Sequence, residues 1–260
     1  MIIILLPAYN EEQSLPQLLP KIDETLSGLK TPYIVIVCND GSKDNTGRML
    51  EEFAKKIPLE VIHHKINRGL GETSRDLFER ATEISTPEDI IIRLDCDDTH
   101  EPMFIPTLIT KIEEGYDVVI ASRFEPGGGQ EGVTAYRAFI SRCANLFMKI
   151  FFPIKGLKEY SCGFRAYRAE KVKEAISFFQ NDFIQLKGLG FTCTLEKLVK
   201  LKLINARFAE VPFKLRYDQK LSESKMVSSI TTLGYLVMTI LYHWPWGGWR
   251  STFGKKYLSS

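Results

Sequence analysis

The strongest constraint on this chain is an alternation of two kinds of segment along its first half. Short aliphatic runs at residues 2–6, 33–38, 59–63, 90–95 and 118–121 are separated by stretches with helical spacing at 15–29, 45–56, 69–83 and 104–114. A run that is apolar at nearly every position, rather than at every second one, predicts a strand buried on both faces. Strand, helix, strand in strict succession predicts an α/β fold, a mostly parallel sheet sandwiched between helices. In such sheets ligands bind beyond the carboxyl ends of the strands. The polar clusters fall at those ends: Tyr9-Asn10-Glu11, Asn39-Asp40-Gly41-Ser42 and Asp95-Cys96-Asp97. The second half is less regular, with helices expected at 136–152, 170–179 and 194–202 and a strand at 207–211.

Charge and cysteine usage exclude several classes. Thirty-four Lys and Arg against 32 Asp and Glu leave a net charge of +2, too balanced for a dedicated nucleic-acid binder. Five cysteines without a C-x-x-C pair fit free thiols in a reducing compartment better than a disulfide framework. The first apolar run has no basic region before it and stops at Pro7, so it reads as a buried strand rather than a secretory signal. Asn67-Arg68-Gly69-Leu70-Gly71 opens a helix with two glycines but lacks the GxxxxGK[ST] of a P-loop.

Two carboxylates at i and i+2 on a strand end, as in Asp95-Cys96-Asp97, can turn toward one bound ion. An oxygen-only, doubly anionic site suits Mg²⁺ or Mn²⁺ shared with a substrate's phosphates. The plainer alternative is a pair of loop acids capping the next helix, and Asp98 is either a further ligand or a solvated acid. Asp40 follows a buried run; Gly41 permits a tight turn, and Asp44 or Asn45 can cap the helix beyond. At that position the Asp40 carboxylate can also accept hydrogen bonds from a base or ribose. Pro7-Ala8-Tyr9-Asn10-Glu11 sets an aromatic ring and a carboxylate in the same layer, suited to stacking on and recognising a nucleoside.

PAYNE, NDGSKDNT, NRGLG and LDCDD, in this order and spacing, resemble the family 2 glycosyltransferases of GT-A fold over roughly residues 2–225. The resemblance implies a nucleotide-diphospho-sugar donor with Pro7, Tyr9, Glu11 and Asp40 around the nucleoside. It also implies that Asp95 and Asp97 hold Mg²⁺ or Mn²⁺ on the diphosphate, with Cys96 contributing its backbone. Such a cation neutralises charge on the leaving group. ASRF, CGFRAYR and EVPF…R…SK further resemble the polyprenyl-phosphate branch of that family. There Arg123, Arg137, Ser141 and Arg216 would grip phosphate groups, and Lys225 would close over the donor diphosphate, although the 216–225 segment is longer than the RxxGxSK form of that branch. Asp97, Arg123 and Arg216 would then act in catalysis.

The implied reaction is inverting transfer from a GDP-mannose or UDP-glucose type donor to a dolichyl or undecaprenyl phosphate. A phosphate monoester, with a second pKa of about 6, is already dianionic at neutral pH and needs cations rather than a base. A saccharide or other soluble hydroxyl acceptor would need a carboxylate base instead. Glu196 and Asp98 are the candidates for it, and Glu196 reads equally as an exposed helix residue paired with Lys200. A non-catalytic nucleotide-sugar-binding subunit is the alternative from another class.

The tail differs from everything before it, with no Lys, Arg, Asp or Glu between Lys225 and Arg250. Ile230, Leu233, Leu236, Val237, Ile240 and Leu241 are apolar at helical spacing, and Tyr242, Trp244, Trp246 and Trp249 resemble an interfacial belt. Residues 1–221 are thus expected to form the catalytic domain and 222–260 a helical tail lying in a membrane interface. Packing of that tail on the domain, on a membrane-protein partner or on a second copy is the alternative. This places the protein on the cytoplasmic face of a membrane, peripheral or tail-anchored. Earlier in the chain, Phe139, Cys143, Leu146, Phe147 and Ile150 form an apolar helical stripe flanked by Arg142 and Lys149.

Overall fold

The computed structural model describes residues 1–222 and 228–243. Its first strand, β1 (Ile2–Ala8), lies inside the sheet and buries every isoleucine and leucine it carries. On one side β2 (Tyr33–Asn39) runs parallel to it, with β3 (Leu59–His63) parallel beyond, and on the other side β4 (Ile90–Arg93) is also parallel. The helices α1 (Leu15–Gly28), α2 (Thr46–Phe53) and α3 (Leu70–Ile84) make the connections, and α4 (Ile105–Glu113) leads to β5 (Val118–Ser122). Helix α1 forms because Leu15, Leu18, Leu19, Ile22 and Leu26 recur every three or four residues, and all five are buried. Truncating one β1 side chain, such as Ile4→Ala, would cost about 2–5 kcal/mol.

The second half completes the sheet. After the short β6 (Gly129–Glu131) come α5 (Ala135–Phe151), β7 (Arg165–Arg168), α6 (Ala169–Phe179), α7 (Thr192–Leu203), β8 (Phe208–Pro212), β9 (Lys214–Arg216) and α8 (Ser228–His243). The seven-stranded order is β3-β2-β1-β4-β7-β5-β8, with β7 antiparallel to both neighbours, and β6 pairs with β9 in a separate two-stranded sheet. The carboxyl ends of β1, β2 and β4 therefore lie side by side, bringing Tyr9, Asp40 and Asp95 to one edge.

Two features differ from expectation. Strand β3 is only half-buried because it is the sheet's edge. Strand β7 escapes the hydrophobic pattern because two main-chain carbonyls receive its buried arginine. Arg165 has no exposed surface and donates to the carbonyls of Thr194 (2.6 Å) and Tyr160 (2.7 Å).

Helices α5 and α8 carry their apolar stripes outward. On α8, Thr231, Met238 and Tyr242 face the domain, while Leu233, Leu236, Ile240 and Leu241 are exposed. The close approach of α8 to α7 needs Gly234, since a Cβ there would stand 2.0 Å from Thr192 Oγ1. On α5 only Asn145 and Met148 are buried, and Tyr136, Phe139, Leu146 and Ile150 are exposed. No described helix is long and apolar enough to cross a membrane. Lys225, Trp244, Trp246 and Trp249 lie outside the described residues.

Candidate active site

The loops after β1 and β2 interlock through the main chain. The Asn10 N–H donates to Ser42 Oγ (2.9 Å), the Lys43 N–H to Asn10 Oδ1 (2.8 Å) and the Glu11 N–H to Thr46 Oγ1 (2.8 Å). Gly41 sits at φ 68°, and a Cβ on it would come within 2.5 Å of the Ile66 carbonyl carbon, so only glycine fits the turn. Pro7 and Tyr9 are half-buried at the rim, whereas Glu11 and Asp40 are buried. Asp40 accepts from the N–H groups of Arg68 and Gly69, both at 2.8 Å. It also lies 2.7 Å from Nδ1 of His64, whose Nε2 is 2.8 Å from Asp76. The observed work of Asp40 is to fix the turn at 67–71 beside the pocket edge.

Beyond β4 each acid of the 95–98 loop has a cation of its own. Arg93 pairs with Asp95 at 2.6 Å, and its guanidinium fills the space beside Gly163, where a Cβ would lie 1.7 Å from it. The Asp95 N–H donates to Nδ1 of His100 (2.9 Å), which makes His100 a neutral ring with its proton on Nε2. Burial lowers the His100 pKa, and Phe164 stacks on the ring at 5.4 Å. Asp97 accepts from the Thr99 hydroxyl (2.6 Å) and from Lys220 Nζ. Burial pushes the Asp97 carboxyl upward, but the Lys220 ammonium, aided by the Thr99 hydroxyl, outweighs it and holds it below the ordinary carboxylate range. Asp98 turns at φ 59° to meet Lys21 Nζ at 2.8 Å, so it is not the solvated acid the sequence allowed; burial still raises its pKa. Cys96 is buried.

The arginines form a second, connected group. Arg123 meets Glu159 with two bonds (2.8 and 3.0 Å) and also reaches Ser161 Oγ (2.9 Å), Ser141 Oγ (3.2 Å) and Gln130 Oε1 (3.3 Å). Glu159 is wholly buried; burial alone would raise its carboxyl, but the Arg123 guanidinium holds it below the ordinary range. Glu210 fixes this loop by accepting from the N–H groups of Lys158 and Glu159 (2.7 and 2.6 Å). Arg137 donates to the Tyr217 hydroxyl and lies 5.2 Å from the centre of its ring. Arg216 pairs with Asp218 (2.7 Å) and Glu131 (3.3 Å), and its N–H donates to the Thr99 carbonyl (3.1 Å). Thus Arg123 and Ser141 touch, Arg137 connects to Arg216 through the adjacent Tyr217, and β9 is stitched to the 95–99 loop.

Residues 3–176 match the family described as Glycosyl transferase family 2. The chain belongs to this family. It is 33% identical over 211 residues to a dolichol-phosphate mannosyltransferase of Pyrococcus furiosus, covering 81% of this chain and 55% of the relative. It thus spans about half the length of that protein. An undecaprenyl-phosphate mannosyltransferase of Micrococcus luteus is 30% identical over 258 residues, 97% of this chain and 99% of the relative. Among solved structures, glucosyl-3-phosphoglycerate synthase from Mycobacterium tuberculosis, in complex with Mn²⁺, UDP and phosphoglyceric acid, superposes with a TM-score of 0.62 at 17% identity. That match covers 93% of this chain and 77% of the other, and it shows the GT-A-like α/β fold.

The residues present fit a divalent cation. Asp95 and Asp97 offer carboxylate oxygens that are partly accessible, with side-chain exposures of 27% and 17%. Among the described residues no group of three or more His, Cys, Asp or Glu side chains could cage a metal alone, so a hard divalent ion here would complete its shell with phosphate oxygens.

One expectation is corrected. Glu196 is neither exposed nor available as a base, because it has no accessible surface and four donors already occupy it. Lys200 Nζ (2.9 Å) and the Tyr242 hydroxyl (2.8 Å) hold one oxygen, and the N–H groups of Gln185 and Leu186 (3.0 and 3.1 Å) hold the other. Its pairing with Lys200 is as expected, but its task is to tie α8 to α7. Sequence reading missed Arg93, His100, Glu159, Tyr217 and Lys220. Only His100, five residues after Asp95 in LDCDDTH, had a local signal that could have been followed.

Proposed function

We propose that this family 2 glycosyltransferase moves a hexosyl group, with inversion, from a nucleotide-diphospho-sugar to a polyprenyl phosphate. The observation that carries the reading is the bond from the Arg216 N–H to the Thr99 carbonyl. It sets the strand bearing Arg216, and the adjoining Tyr217 with its Arg137, against the loop that carries Asp95 and Asp97. A phosphate gripped by Arg123, Arg137, Ser141 and Arg216 would face a diphosphate held at that loop. One of its oxygens would bond to the anomeric carbon while the bond to the nucleoside diphosphate breaks, the electron pair leaving on the diphosphate. Asp95 and Asp97 would hold Mg²⁺ or Mn²⁺, which supplies Lewis-acid neutralisation of that leaving group. Pro7, Tyr9, Glu11 and Asp40 would frame the nucleoside, with the Cys96 backbone beside the diphosphate and Lys225 closing over it. The names of the Pyrococcus and Micrococcus relatives support a mannosyl-type donor and a lipid phosphate acceptor. Saturation of Glu196 and the pairing of Asp98 with Lys21 leave a hydroxyl acceptor without either of its candidate bases.

The outward faces of α5 and α8 support residence on a membrane surface. The two helices meet at their ends, where His243 Nε2 lies 3.0 Å from the Phe151 carbonyl oxygen. Helix α5 carries Arg137, Arg142 and Lys149 and no acid, and a groove of about 490 Å³ at its end is lined in part by Lys149, Lys155 and Lys158. An exposed apolar face with a basic margin suits the headgroup region of an anionic leaflet. Residues 1–221 then act as the catalytic unit and 222–260 as the part that holds it at the cytoplasmic surface.

The test is incubation of purified protein with labelled GDP-mannose and UDP-glucose and a polyprenyl phosphate, with and without Mn²⁺. Label is expected in the lipid extract only when both lipid phosphate and cation are present. Equal turnover on a water-soluble hydroxyl acceptor, or a reaction indifferent to chelator, would overturn the reading.

A further inference from the structure

The turn after β9 crosses the Asp95–Asp98 loop and is clasped to it three times. The Arg216 N–H donates to the Thr99 carbonyl at 3.1 Å. Lys21 Nζ, already on both oxygens of Asp98 (3.0 and 2.8 Å), also donates to Gln219 Oε1 (3.3 Å). Lys220 Nζ donates to Oδ2 of Asp97. Its side chain is 10% exposed, and Nζ lies 5.9 Å from the centre of the Tyr217 ring, the same ring that receives Arg137.

The two carboxylates of the cation loop are capped in different ways. Arg93, on Asp95, is enclosed beneath the sheet edge and wedged against Gly163, so it is a fixed part of the floor. On Asp97, Oδ1 is occupied by the hydroxyl and the N–H of Thr99 (2.6 and 3.3 Å), so Oδ2 is the oxygen left to bind something else. Lys220 occupies it from the end of a three-residue turn, Tyr217–Gln219, that lies outside the seven-stranded sheet. A lysine is a point charge on a flexible stem, well suited to leave and return. An ammonium and a divalent ion at one carboxylate oxygen repel strongly, so the two occupy it in turn rather than together.

We propose that Lys220 is a built-in counter-ion for Asp97. It stands in for the divalent cation in the unloaded enzyme and withdraws when cation and nucleoside diphosphate arrive. By withdrawing, it opens one of the three clasps on the 216–220 turn and leaves the Tyr217 ring, so that Arg137 is freed toward the acceptor phosphate only after the donor is in place. The inference rests on the cation-using transferase reading above. Because occupancy of Oδ2 is exclusive, removing the ammonium must strengthen metal binding even with no substrate present.

The experiment is a titration of the full chain with Mn²⁺ alone, following free Mn²⁺ by electron paramagnetic resonance. Lys220→Met keeps the stem and drops the charge, and it is expected to bind Mn²⁺ about tenfold more tightly than the unaltered protein, within the usual range of site-to-site coupling. Lys220→Arg, which keeps the charge, should bind no more tightly than the unaltered protein. Equal Mn²⁺ affinity in the unaltered chain and Lys220→Met would overturn the counter-ion role while leaving the transferase reading standing. Failure of every form to bind Mn²⁺, with or without UDP or GDP, would overturn both. A second readout needs no variant: amide hydrogen exchange across 216–220 should accelerate when Mn²⁺ and the nucleoside diphosphate are added. Unchanged protection there would also overturn the proposal.

Discussion

Along the carboxyl edge of β1 and β2 the groups that would meet a nucleoside are held largely by main-chain amides, whereas around β6, β9 and α5 the groups that would meet a lipid phosphate are held by other side chains. Asp40 receives two backbone N–H groups, and the loops after β1 and β2 interlock through three more bonds that each use a backbone N–H. Amides in a short loop have nowhere else to go, so this side is built before any ligand arrives. Arg137 and Arg216 instead rest on Tyr217, Asp218 and Glu131, exposed or half-exposed partners that a phosphate can replace. Arg123 stands between the two modes, with its bidentate bond to a wholly buried Glu159 making it a pillar. A preformed donor side and an exchangeable acceptor side suit an enzyme that must load its donor first.

The largest expected effect lies where the two sides meet. Asp97→Ala should lower transfer by about 10³-fold, the scale of losing an electrostatic stabiliser of the leaving group, with the far-ultraviolet circular dichroism unchanged. Normal turnover would remove the cation loop from the site. Next comes the pillar. Glu159→Ala leaves Arg123 buried and unpaired, which should cost about 3–5 kcal/mol of stability in urea unfolding. The pH dependence follows from the depressed Glu159 pKa: its stabilisation is fully present above the unfolded carboxyl's value of 4.5 and is lost as pH falls through the lower folded value. Glu159→Gln should therefore flatten the acid limb of the stability profile, and an unchanged limb would show that Glu159 is not what Arg123 depends on.

Glu159 also marks the limit of what was legible beforehand. The parallel strands were readable because each is apolar along its length, and the cation loop because its two acids share one short turn. Strand β7 was not readable, since RAYR owes its place to the Thr194 and Tyr160 carbonyls that satisfy Arg165. Strands β6 and β9 are three residues long, too short to show a period. Glu159 and Lys220 meet their partners 36 and 123 residues away, a pairing no local pattern encodes. For α5 and α8 the periodicity was visible but its direction was not. A stripe of Phe, Leu and Ile fits a membrane interface or a packed interior equally, and only the packed fold shows that Asn145, Met148, Thr231 and Tyr242 took the inner positions.

On the donor side, a backbone change should do what side-chain truncation cannot. Gly41→Ala forces a residue with Cβ to φ 68° and against the Ile66 carbonyl carbon, a strain of about 1–3 kcal/mol. Calorimetric titration with UDP or GDP should show weakened binding, with the acceptor-lipid KM unchanged at saturating donor. A variant that binds nucleotide normally would mean that the interlocked loops are scaffold rather than site.

The acceptor side should respond in the opposite sense, and more mildly. Arg137 is exposed, its guanidinium donates to the Tyr217 hydroxyl, and no carboxylate among the described residues pairs with it. Removing it therefore leaves no buried charge behind, and stability should hardly change. What is lost is one charge-assisted bond to the acceptor phosphate, about 1.5–3 kcal/mol, or roughly 10–150-fold in kcat/KM for the lipid. Calorimetric binding of the nucleoside diphosphate should stay at the level of the unaltered protein, because no donor-side group rests on Arg137. Should Arg137→Ala weaken donor and acceptor binding together, the exchangeable side would not be separable from the preformed one. Tyr217 would then be a strut of the donor pocket, and the withdrawal of Lys220 could not be the step that frees Arg137.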